Sequence, residues 1–116
     1  MPIWATSPVD EQPTLSLVRW QVFQLPNGDR HFVGYALENA EGRVSTAVRD
    51  LDLRLLRGVT ATGRVYCLLG APGIDGDGQY VWRRWLDING LADCKDVTAE
   101  VWENHCKSVG AKATRF

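Results

Sequence analysis

Residues 15–36, LSLVRWQVFQLPNGDRHFVGYA, decide the fold. Aromatic and β-branched runs lie on either side of Leu25-Pro26-Asn27-Gly28. Such side chains suit a pleated, half-buried surface. Proline presets the first central position of the turn, asparagine suits the second, and glycine takes a left-handed bulge position. A two-residue Asn-Gly loop would want an N–H from Pro26, which proline lacks. The three-residue loop is therefore expected, with Leu25 opposite Asp29.

Counting back, Val22 faces Phe32, Trp20 faces Gly34 and Val18 faces Ala36. This face is apolar throughout and is expected to be buried, with the Trp20 ring lying over Gly34. The other face pairs Arg19 with Tyr35 and Phe23 with His31. It is mixed in character, either half-solvated or a binding surface.

Further along, Asn39-Ala40-Glu41-Gly42 repeats the turn chemistry, with Gly42 as the left-handed residue. Setting Asn39 opposite Arg43 puts Val44, Thr46 and Val48 on the Trp20 face and continues a β-meander. Residues 50–57 (DLDLRLLR) alternate like a strand. Asp50 could also cap a short helix that Gly58 ends, and we read a turn or two of helix or an irregular crossover there. Residues 59–70 read as a strand after Gly63, and Ala71-Pro72-Gly73 fits a type II turn. Residues 74–78 read as a mobile loop and residues 79–86 (QYVWRRWL) as another strand. Residues 96–106 read as a helix capped by Asp96 or Thr98, with Val97, Val101 and Trp102 on its buried stripe.

The expected fold class is α+β, mainly β: a twisted or half-closed antiparallel sheet with a C-terminal helix. Residues 1–14 are expected to be an irregular arm, 15–106 a single domain and 107–116 a frayed tail. At 116 residues the chain is long enough for one core without staples.

Net charge is −1, from 13 basic and 14 acidic residues, which counts against a protein built mainly to hold nucleic acid. The three cysteines, Cys67, Cys94 and Cys106, have neither disulfide nor zinc spacing and read as reduced thiols of a cytosolic protein. There is no signal-peptide pattern and no run long enough to span a membrane. Asp75-Gly-Asp77-Gly-Gln79 lacks the glycine and glutamate that a calcium loop places at its sixth and twelfth positions. The nearby glycines lack the helix and the Lys or Ser/Thr of a phosphate cradle. No nucleophile elbow or HExxH motif occurs, and no acid–base pair stands out. Neither a metal nor a cofactor is expected.

Arginine and aromatic residues are the suggestive set. Residues 43–84 hold seven Arg against four Asp, a local excess of +3. Arg64, Thr62 and Thr60 cluster at a predicted turn, where binding residues concentrate. Arg19, Tyr35 and His31 share the mixed hairpin face. The expected function is a non-catalytic module that binds a protein partner or a compact anionic ligand through these six residues. A single-stranded nucleic-acid binder stacking bases on the sheet is the first alternative. An enzyme assembled in space from Cys67, His31 or His105 is the second. A homodimer is expected, because a second subunit would cover the other apolar face.

Overall fold

The computed structural model describes residues 12–110. The expectations for the arm and tail therefore fall largely outside the described residues. The strands are β1 (Thr14–Gln24), β2 (Arg30–Ala36), β3 (Glu41–Val44), β4 (Val48–Asp52), β5 (Arg57–Thr60), β6 (Val65–Leu68) and β7 (Lys95–Asp96). The helices are α1 (Gly76–Ile88) and α2 (Thr98–Ser108). The fold is α+β and mainly β. The sheet runs β3-β2-β1-β6-β5-β4, with β7 paired to the far end of β1. It is mixed rather than antiparallel, because β6 lies parallel to β1 with Leu15 opposite Tyr66. It curls without closing, and residues 45–47 link its two outer strands, β3 and β4.

The first hairpin forms as read. Leu25 N–H donates to Asp29 O at 2.8 Å, and Gly28 has φ +93°. Val22 opposes Phe32, and Phe23 opposes His31. The expected pairing of Val18 with Ala36 is replaced by Leu17 with Ala36 and Val18 with Tyr35, because a bulge interrupts β1 between Val18 and Gln21. Arg19 takes φ +47° there. The extra residue switches which face alternate side chains point to. Leu15 and Leu17 before the bulge, and Trp20 and Val22 after it, all enter one core. Trp20 is fully buried, and a Cβ on Gly34 would lie 3.1 Å from Trp20 Cα.

The second turn differs from expectation. The left-handed residue is Ala40, at φ +51°, and not Gly42. Val44 opposes Val33 and packs with Phe23 and Leu25 on the face away from Trp20, contrary to expectation, and Thr46 and Val48 fall beyond β3. Gly42 is required for another reason. A Cβ there would sit 2.3 Å from the Asp77 carbonyl, because the first turn of α1 lies directly on β3.

Residues 48–60 form the hairpin β4–β5, so the strand alternation of 50–57 prevails over the helix reading. Gly58 ends nothing; its missing Cβ makes room for the Phe32 ring. Gly70, at φ +69°, takes the left-handed turn position expected of Gly73. The largest departure is α1, which replaces both the mobile loop and the strand expected over 74–86. Asp75 caps it, its Oδ2 accepting from Gly78 N–H at 2.9 Å. Val81, Trp82, Trp85 and Leu86 then recur at helical spacing and cover the second core, made by Phe23, Leu25, Val33 and Val44. Helix α2 closes the first core with Val101, together with Val97 at its N-cap. Its first N–H, from Thr98, is capped by Asp96 Oδ1 at 2.9 Å. Lys107 and Ser108, expected in the tail, are helical.

One exposed contact ties the β2–β3 turn back to β1. Glu38 accepts from Ser16 N–H at 2.7 Å and from Ser16 Oγ at 2.8 Å. Partial burial works against the charged form, but the Ser16 bonds outweigh it and hold Glu38 below its ordinary value of 4.5. A lowered carboxylate stabilises the fold above its unfolded pKa, and that share is lost as pH falls through the folded value. Glu38→Gln should therefore cost about 0.5–1 kcal/mol at pH 7 by urea denaturation, and the difference should vanish in acid.

Candidate functional site

The bulge in β1 shapes the site. Strand β6 pairs with residues 14–17 of β1 and β7 with residues 23–24, so the edge between them carries no partner strand. The segment 69–75 packs there instead. Leu69 N–H donates to Leu17 O at 2.8 Å, and Gly73 N–H donates to Trp20 O at 3.2 Å. Trp20 Nε1–H donates to Gly70 O at 3.1 Å. Arg19 Nε–H donates to Asp75 Oδ1 at 3.0 Å, and the Arg19 guanidinium lies 5.2 Å from the Tyr35 ring centre. The segment is thus pinned at four points, yet it presents Ile74 to solvent, 73 % exposed.

Facing Ile74 across a cleft of about 520 Å³ are Thr98, Ala99 and the half-buried Trp102 of α2. Pro72 and Gly73 form the near wall, Gln21 lies at the β1 edge and Asp96 supplies the charge among the lining residues. The Gln21 and Gln79 side chains are hydrogen-bonded, which ties this edge to α1. Trp102 meets Trp20 edge-on, with centroids 6.2 Å apart. The cleft is open and shallow, and its lining is mostly apolar with few polar groups.

The six residues singled out in the sequence lie in three places. Arg19 and Tyr35 are together as expected, and Arg19 is outward, its side chain 52 % exposed. Both stand behind the cleft segment. His31 is not on an open face. It is 4 % exposed beneath α1, with its Nδ1–H donating to Ser45 O at 2.8 Å and its ring 4.6 Å from that of Trp85. Thr60, Thr62 and Arg64 cluster at the β5–β6 turn, beyond the other end of β6. Arg64 is 4 % exposed and donates from Nε to Gln12 O at 3.0 Å, and Thr60 Oγ1–H donates to Arg64 O at 3.2 Å. Thr62 alone of these three is exposed. Sequence reasoning missed Ile74, Ala99 and the role of Asp96. A local signal existed only for Trp102, as a member of the α2 stripe.

Trp20 and Tyr66 on the sheet are 0 % and 1 % exposed, and Trp82, on α1 and not on a strand, is 3 % exposed. Phe23, Trp82 and Trp85 stack on one another between α1 and the sheet. His31 and His105 lie on opposite sides of the sheet, and His105 binds Leu53 O through Nδ1 at 2.6 Å. Cys67 is half-buried on β6, and Cys106 is buried in α2. Among the described residues no group of three or more His, Cys, Asp or Glu side chains is placed to hold a metal ion. No helix among them is long and apolar enough to cross a membrane. No protein-family model matches the chain, nor does any curated protein or solved structure.

Proposed function

We propose that this protein is a small cytosolic, non-catalytic binding module that grips an apolar side chain of a protein partner in the cleft between residues 72–74 and α2. The observation that carries this reading is Ile74, an isoleucine 73 % exposed on a segment that hydrogen bonds hold rigidly. An apolar side chain on a backbone held beside a tryptophan is positioned for contact before any partner arrives, which lowers the ordering cost of binding. Asp96 at the rim favours a basic residue next to the partner's apolar anchor. Arg19 and Tyr35 act as a brace behind the segment and not as the contact surface. The expected homodimer rested on a second apolar face in need of a cover, and α1 supplies that cover over β2 and β3. The binding reading does not require a dimer.

Selection from a displayed random-peptide library tests this reading and requires no identified partner. Enriched peptides should share one large apolar residue with Lys or Arg close by. Ala99→Arg, which fills the cleft from its exposed helical wall, should weaken them roughly 30-fold, the scale of a single hot spot. Ile88→Ala, at the exposed end of α1, should leave affinity unchanged. Equal binding by the wild type and Ala99→Arg would remove the cleft from consideration.

A further inference from the structure

A separate feature lies inside the curl of the sheet. Arg43 of β3 is 5 % exposed and pairs in register with Gly34, on the Trp20 side of the sheet. Its Nε–H donates to the buried Tyr66 Oη at 3.1 Å. Its Nη1 is buried and has no hydrogen-bond partner. Among the described residues the ion pairs are Arg19–Asp75, Arg30–Glu100 and Lys107–Glu103, so none neutralises Arg43. A guanidinium stays protonated at any ordinary pH. Tyr66 can satisfy one of its hydrogen bonds but offers no opposite charge. A water could satisfy Nη1, yet no carboxylate among the described residues pairs with this largely buried charge, which is unfavourable.

We propose that Arg43, flanked by the phenol of Tyr66, is the receptor for one compact oxyanion, a carboxylate or phosphate group taken from solution. The planar donor fork of arginine matches two oxygens of such a group, and charge-assisted bonds of this kind are the strong ones. This site is independent of the Ile74 cleft.

Thermal unfolding in rising phosphate or acetate, at ionic strength held constant with chloride, tests the proposal. The wild type should show a saturable rise in Tm, about 10 °C at a hundredfold excess over the dissociation constant. Arg43→Met should unfold no earlier than the wild type without the anion, since it removes an uncompensated charge, and should show no rise with it. Arg43→Lys should keep a reduced rise. Arg84→Gln, an exposed arginine on α1, should behave as the wild type. No saturable rise, or the same rise in Arg43→Met, would overturn the assignment. So would a rise that appears only when Asp10 and Glu11, the carboxylates preceding Gln12, are changed by D10N and E11Q. That result would mean the chain's own carboxylate already fills the place.

Discussion

Gly42→Ala is expected to cost at least about 3 kcal/mol, at or beyond the upper end of ordinary overpacking. The added Cβ would stand 2.3 Å from both the carbonyl carbon and oxygen of Asp77 and 2.6 Å from the Gly78 nitrogen. These are backbone atoms in the first turn of α1, so no rotamer change relieves the clash. The helix must lift from the sheet. Lifting it would separate Val81 and Trp82 from Val33 and Val44 and unstack Trp82 from Phe23, whose rings now lie 5.0 Å apart. Urea denaturation followed by tryptophan fluorescence would report both the stability loss and the exposure of Trp82. Gly76→Ala is the control. A Cβ at Gly76 meets nothing within 4 Å, and its φ is not left-handed. It should be neutral or stabilise by about 0.4–1 kcal/mol through the unfolded state. A Gly42→Ala protein as stable as the wild type would show that α1 does not rest on β3.

The same glycine shows how far local sequence reaches. Gly42 stands out as a turn residue, and the turn exists. Its actual constraint comes from a helix more than thirty positions along the chain, and no local pattern carries that. The Trp20–Gly34 approach is legible because both residues belong to one hairpin with strong turn chemistry. The bulge at Arg19 is not, because Val18 is as apolar as Leu17 and Trp20, and the switch of faces leaves no polar residue out of place. Over 76–88, tyrosine, valine and tryptophan suggest a strand by propensity. The helical signal lies in Asp75 three residues before Gly78 and in the spacing of Val81, Trp82 and Trp85. Propensity is the weaker of the two once a cap is present. The parallel pairing of β1 with β6 spans about fifty residues and has no local signature. It is also what buries Tyr66, so Arg64 and Arg43 could not be recognised from sequence as interior residues.

Trp20→Phe should separate two roles that one indole performs. Trp20→Ala removes a fully buried ring and should cost about 3–5 kcal/mol, as large aromatic truncations do. That loss reports packing only. Trp20→Phe keeps most of the apolar volume between Gly34 and Trp102 but removes Nε1–H, the donor to Gly70 O at 3.1 Å. A lost hydrogen bond to a part-buried carbonyl costs about 1–2 kcal/mol, and the cost should fall on the pinned segment. Hydrogen exchange would locate it. The Gly73 amide, bonded to Trp20 O, should exchange faster in Trp20→Phe, while the Val33 and Val44 amides in the sheet keep their protection. Peptides selected against the wild-type cleft should bind the variant more weakly although no cleft-lining residue has changed, because Ile74 is then no longer held in place. If Gly73 protection and peptide affinity both survive the loss of the indole N–H, the segment is held by its backbone and the Arg19–Asp75 pair alone. The tryptophan then matters to this site only as core.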